Sequence, residues 1–283
     1  MRTILVPTDF SDCSADAVKY AIHFAEKTER KLLFFHSTYI LIPTRSSSFA
    51  YLNAVKSDKE EKLKQLISFV ENIYHSLKIK RNENNTKFLV RFGASVVENI
   101  AETINEQFID LIIMGTHGAT GFRKVFMGSN AAKVIEQVNC SVLTIPYKYK
   151  FSPIKKLAYA SSDLNKVKKE LKGVVSIAKK LDTTLDIFHI ITGKAVLKRY
   201  EQFNSKEFMK SITHHLKFYK MSLYVIDRGD KNIATAIDGF VKHNKPDMLI
   251  TLTQKKDFFE RLFNTSQTKE LAYNLKTPLL AMK

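Results

Sequence analysis

Short apolar runs alternate with amphipathic stretches along the first half of the chain, and the alternation predicts strand and helix in turn. Thr3-Ile4-Leu5-Val6 lies in a strand expected over about 2–7, followed by a helix over about 13–29. A strand at about 31–37, a helix at about 54–79 and a strand at about 87–92 come next. The half closes with a helix at about 95–106, a strand at 110–114, a helix at 129–138 and a strand at 141–146. Strands that are apolar almost throughout, separated by helices with one apolar face, predict a parallel sheet covered on both sides. This is a doubly wound α/β unit, whose ligands gather outside the carboxyl ends of the strands. Ser11 or Asp12 is placed to cap the first helix and Ser129 the last.

The pattern then repeats. With an offset of 137, Asp110 through Ile145 faces Asp247 through Met282 without a gap, bringing Phe122 opposite Phe259 and Ser129 opposite Ser266. With an offset of 153, Ile4-Leu5-Val6 faces Leu157-Ala158-Tyr159 and His36 faces His189. Two long offsets in the same order indicate two copies of one unit. We therefore expect domains at 1–147 and 151–283, joined by a short polar and aromatic linker from Tyr147 to Pro153.

The 283 residues leave room for two such domains, and 45% hydrophobic with 26% charged residues suits buried cores. No apolar stretch approaches the roughly 20 residues of a membrane span, and with Thr3-Ile4-Leu5-Val6 already reading as a strand no secretory signal is expected. Cys13 and Cys140 alone supply neither a disulfide framework nor zinc spacing, so a cytoplasmic location is expected. The net charge of +17 is unevenly placed, about +3 over 1–147 and +14 over 148–283. A solvated lysine-rich face accounts for that excess more simply than nucleic acid, since no zinc finger or basic-aromatic RNA motif accompanies it.

The chemistry concentrates at one junction. Gly115-x2-Gly118-x9-Gly128-Ser129 follows the apolar run Leu111-Ile112-Ile113 and precedes a helix. Amides at a helix start have no internal partner, and the dipole there favours negative charge, so phosphate fits. Glycine lets the backbone approach a ligand closely. An ordinary strand-to-helix turn needs fewer glycines than this one carries. Arg123 and Lys124 in the loop read as a solvated pair, and His36 with His189, present in both copies, as structural. The adjacent His214 and His215 project differently around a helix and make a poor metal site.

Taken together, Val6-Pro7-Thr8-Asp9-Phe10-Ser11, Gly93 and Asp110-Leu-Ile-Ile-Met-Gly-Thr-His-Gly with Gly128-Ser129 resemble the universal stress protein family, specifically its tandem two-domain members. The resemblance implies two tandem doubly wound, Rossmann-like (adenine nucleotide alpha hydrolase-like) α/β domains, each a five-stranded parallel sheet flanked by helices. It also implies ATP, with Mg²⁺, as cofactor. Asp9 would recognise the adenine end, with Pro7 and Thr8 shaping that wall and Ser37 beside the base, where the family often carries a hydrophobic residue. Gly115, Thr116 and Gly118 would approach ribose and phosphates in a loop lined by Met114 and His117, while Gly128, Ser129 and Asn130 would hold the phosphates. Opposite Gly115, Gly118 and Gly128 the second copy carries Leu252, Lys255 and Thr265, so we expect it to bind ATP poorly and to pair with the first domain through the strands at 141–146 and 277–282.

The function expected is thus a nucleotide-binding regulatory protein of the stress response, with self-association between its domains or as a homodimer. A slow ATPase and an interaction protein with a vestigial site are the alternatives. No base for hydrolysis and no Walker-type signature is visible, and neither membrane nor nucleic acid is an expected partner.

Overall fold

The computed structural model describes residues 2–39, 48–93, 95–116, 129–161, 164, 166–193, 205–252 and 276–283. The chain divides near residue 151 into two compact units. The first contains β1 (Thr3–Pro7), α1 (Asp12–Thr28), β2 (Lys31–Thr38), α2 (Ser48–Leu77) and β3 (Thr86–Phe92). It continues through α3 (Val96–Gln107), β4 (Ile109–Gly115), α4 (Ser129–Gln137) and β5 (Ser141–Ile145). Helix α2 begins earlier than the polar pattern suggests because the preceding Ser48-Phe49-Ala50-Tyr51 segment carries no glycine or proline to stop it.

The five strands are parallel and ordered β3-β2-β1-β4-β5. Helices α1 and α2 pack together on one face, α3 and α4 on the other. The strands bury both of their faces: Ile4, Leu5, Val6, Phe34, Phe35, Ile112 and Ile113 are fully or almost fully excluded from water. That is why these segments read as continuous apolar runs rather than alternating ones. Each fully buried aliphatic or aromatic side chain of this kind contributes roughly 1.5–3 kcal/mol relative to exposure.

The second unit comprises β6 (Lys156–Ser161), α5 (Val167–Leu181), β7 (Thr184–Ile191), α6 (Ser205–Leu216), β8 (Met221–Asp227), α7 (Ile233–Asn244), β9 (Met248–Leu252) and β10 (Leu279–Met282). Its parallel strands run β8-β7-β6-β9-β10, the same order as in the first unit. The registers match as well. Ile4 pairs with Leu32 and Leu111, and Leu157 pairs with Leu185 and Met248. Ile112 faces Val142 as Leu249 faces Leu279. The sequence offsets of 153 and 137 are therefore offsets in hydrogen-bonding register.

A histidine clip is common to both units. His36 at the end of β2 bonds through Nδ1 to the carbonyl of Thr8 at 2.8 Å, and His189 at the end of β7 bonds to the carbonyl of Ser161 at 2.9 Å. Each imidazole ties the end of one strand to the chain leaving its neighbour. Burial holds the His36 imidazole below its ordinary pKa, against the opposing pull of the Thr8 hydrogen bond.

Candidate functional site

In the order β3-β2-β1-β4-β5, the chain leaves β1 toward one side of the sheet and β4 toward the other, so a crevice opens between their carboxyl ends. The segment leaving β1 is built from its own side chains. Thr8 is buried, and its hydroxyl lies 2.8 Å from that of Ser14 while accepting the Phe10 amide at 3.1 Å. Asp9 is exposed; its Oδ1 accepts the Ser11 amide at 3.1 Å and the Ser11 hydroxyl at 2.6 Å. Asp9 thus closes an Asx-type turn. Ser11 in turn caps α1, its Oγ accepting the Ser14 amide at 3.2 Å.

Between them Phe10 adopts φ = 65°. A bulky side chain in the left-handed region costs about 1–3 kcal/mol and persists only where its surroundings hold it. Here its ring packs tilted against His36, with centroids 4.4 Å apart, and meets Phe69 edge-on at 5.5 Å. The exposed Asp9 immediately precedes this strained residue. Periodicity and residue type gave no sign of this conformation for Phe10.

At the end of β4, Gly115 lies directly under the first turn of α1. A Cβ there would stand 2.8 Å from Cys13 Sγ and 2.9 Å from the Cys13 carbonyl oxygen. Glycine at 115 therefore has a packing reason of its own: it lets α1 begin against the mouth of β4. Thr116 continues from it, its amide bonded to the Ile145 carbonyl at 3.0 Å and its hydroxyl 3.9 Å from Cys13 Sγ. Cys13 and Cys140 are buried, unlinked packing residues, and burial pushes the Cys140 thiol up to about 12.

The wall next to β2 holds a second small network. Asn99 of α3 is buried and donates through Nδ2 to the Ser37 hydroxyl at 2.8 Å. A Cβ on Gly93 would lie 2.3 Å from Asn99 Oδ1, so glycine at 93 makes room for that amide. Ser37 is thus oriented by Asn99, a residue the sequence did not single out because a lone polar residue on a helix face carries no motif.

Of the residues expected at the site, Pro7, Thr8, Asp9, Gly115 and Thr116 come together at the mouths of β1 and β4, with Ser37 at the end of the adjoining β2. Met114 is a buried residue of β4 facing Thr144 in β5. Ser129 begins α4, where Asn130 is exposed. His117, Gly118 and Gly128 lie outside the described residues. Among the described residues no cluster of three or more His, Cys, Asp or Glu could hold a metal ion. No helix among them is long and apolar enough to cross a membrane.

The universal stress protein family profile matches residues 1–146. Universal stress protein MJ0531 of Methanocaldococcus jannaschii is 30% identical over 148 residues, covering 51% of this chain and 81% of that protein. Universal stress protein YxiE of Bacillus subtilis is 27% identical over 146 residues, covering 50% of this chain and 97% of its own. The crystal structure of a universal stress protein from Archaeoglobus fulgidus superposes with a TM-score of 0.64 at 16% identity, covering 99% of this chain and 96% of that one, which establishes a shared fold across both units. The chain belongs to the universal stress protein family.

Proposed function

We propose that in this member of the universal stress protein family the first unit binds an adenine nucleotide, ATP with Mg²⁺, and that occupancy governs a regulatory role in the stress response. The observation that carries the reading is the strained Asp9–Phe10 turn set beside the bare end of β4 at Gly115, at the switch point where doubly wound sheets receive ligands. The donors fit an adenylate. Asp9 presents an exposed carboxylate to an amino group, and Gly115 with Thr116 starts the glycine-spaced loop that ends at Ser129, the first residue of α4. Mg²⁺ would be held chiefly by the phosphates and water, in keeping with its reluctance to dehydrate.

In this reading the second unit is a partner for the first rather than a second receptor, because Leu252, Lys255 and Thr265 replace the three glycines of the motif. Phosphate would meet side chains where the first unit offers backbone.

Protein purified without added nucleotide, denatured and chromatographed, is expected to release an adenine nucleotide. Calorimetry with ATP is expected to give one site per chain, lost in Gly118→Val and in Gly128→Val. Two equivalent sites would overturn the assignment of the second unit. No binding by correctly folded protein would overturn the reading as a whole.

A further inference from the structure

The two units differ sharply at one place that plays no part in the nucleotide reading: the groove between the outermost strand and the helix that covers it. In the first unit a charged bridge spans this groove: Arg91 on β3 reaches Glu102 at 2.9 Å and also bonds Glu106, both on α3. By strand register the counterpart of Arg91 is Ile226, since Ser37 faces Arg91 as Ile190 faces Ile226. By position within the helix, the counterparts of Glu102 and Glu106 are Gly239 and His243. All three members of the bridge are gone.

What remains is an open cleft of about 360 Å³. Tyr224 and Ile226 of β8 and Gly239 and Phe240 of α7 give it an apolar floor, with Arg228 and Lys231 at one end and His243 toward the other. A Cβ on Gly239 would meet nothing within 4 Å, so the backbone of α7 is bare on this side. The volume sits at the low end of the ~300–1,000 Å³ that encloses a small ligand, and the cleft is open along the strand. That shape takes the side chains of an extended segment.

The strand beside it is suited to receive one. Among the described residues β8 is the last strand of its sheet, and nothing pairs with its outer edge. Sheet edges are normally protected by charge. β3 obeys this rule with Lys87 and Arg91, whereas β8 carries a single charge, Asp227 at its last position, and exposes Tyr224. The charge around the cleft selects the partner. Of the residues lining the cleft, Asp227 is the one carboxylate and already accepts the amides of Gly193 and Gly229, while Arg228 and Lys231 line the same end. Asp230 lies in the turn between those two, Asp238 is held by Lys242, and residues 148–283 as a whole carry about +14. A second copy of so basic a unit would be repelled; an acidic chain would be attracted.

We infer that the β8 edge and the β8–α7 cleft of the second unit form a docking site for an extended acidic segment of a partner protein, which adds as a strand to β8 and seats alternate apolar side chains over Gly239. In this site Ile226, Gly239 and His243 stand where the first unit carries its bridge.

The test uses the full chain and two fluorescein-labelled twelve-residue peptides, one alternating leucine with glutamate and the other leucine with lysine. Fluorescence anisotropy is expected to show binding of the glutamate peptide and at least tenfold weaker binding of the lysine peptide. Hydrogen exchange is expected to slow at the β8 amides when the glutamate peptide is present. Ile226→Arg with Gly239→Glu and His243→Glu rebuilds the bridge and should weaken binding at least tenfold with no fall in thermal midpoint. Gly239→Glu alone, which needs no new core packing, should weaken it in the same direction. Equal binding of both peptides, no binding of either, indifference to these substitutions, or unchanged β8 exchange would each overturn the proposal. So would β8 protection that grows with protein concentration in the absence of peptide, which would assign the edge to self-pairing.

Discussion

Gly115→Ala isolates the contact that lets α1 start against β4. The added methyl would stand 2.8 Å from Cys13 Sγ, 2.9 Å from the Cys13 carbonyl oxygen and 3.1 Å from its carbon. The thiol could rotate, but the carbonyl belongs to the first turn of a helix whose Cys13 is only 3% exposed. Overpacking of this kind costs about 1–3 kcal/mol, offset by about 0.4–1 kcal/mol from the reduced freedom of the unfolded chain. The net loss spans about 0–2.6 kcal/mol and centres on about 1.3 kcal/mol, or a fall of roughly 3–5 °C in the midpoint of a unit this size. Chemical denaturation followed by fluorescence and circular dichroism measures it. Gly239→Ala is the matched control: its methyl meets nothing within 4 Å in a helix interior, so it should stabilise by about 0.5–1 kcal/mol. Cys13→Ala should rescue Gly115→Ala only in part, because the carbonyl stays. Unchanged stability in Gly115→Ala, or full rescue by removing the thiol, would refute the backbone contact as the reason for glycine at 115.

Ser11→Ala removes the α1 cap and one partner of Asp9 together, and should lower stability by about 0.5–2 kcal/mol in the same denaturation assay while weakening adenylate binding measured by calorimetry. Arg91→Ala breaks a bridge to two glutamates whose side chains are 62% and 53% exposed, so it should cost no more than about 1 kcal/mol despite the geometry. Asp186 is 5% exposed, its Oδ2 is 3.9 Å from Lys156 Nζ, and burial raises its pKa. A raised folded value favours the protonated carboxyl, so its contribution is present below the unfolded value of about 3.9 and is lost as pH rises through the folded one. Urea midpoints should therefore show the wild type losing ground to Asp186→Asn as pH climbs from about 4 toward neutrality, and a pH-independent difference would refute the assignment.

How much of this was legible in the sequence follows from what each feature depends on. Strands buried on both faces leave a continuous apolar run, so β1, β2 and β4 could be placed within a residue or two. The repeat was visible because the offsets of 153 and 137 preserve hydrogen-bonding register, and register decides which face a residue buries. Features formed by contacts between distant segments left no such trace. The Asn99–Ser37 bond joins residues 62 apart, and the Arg91 bridge spans 11 and 15. The positive φ of Phe10 was hidden because its residue type argues against that conformation and contacts with His36, Phe69 and the Thr8 hydroxyl accompany it there. Gly115 was legible only as a member of the glycine-spaced loop; that α1 needs it emerged from the packing alone.

The packing duty of Gly115 bears on where the two units part company. The histidine clip depends only on where neighbouring strands end, and it survives in both, at Thr8 and at Ser161. The glycine at the end of β4 depends on how the first helix begins, and there the second unit changes both partners. Leu252 ends β9 where Gly115 ends β4, and by strand register Leu164 stands where Ser11 caps α1. α5 accordingly starts at Val167, two residues later than α1 on that register, behind Lys166 with right-handed helical dihedrals and no side-chain cap. A leucine side chain at the strand mouth and a helix starting against that mouth compete for the same volume. With leucine at the strand mouth an early helix start would be crowded, and among the described residues no side chain caps α5 in place of the serine. The two changes therefore travel together, and a nucleotide site in the second unit would require reversing both rather than replacing glycines alone.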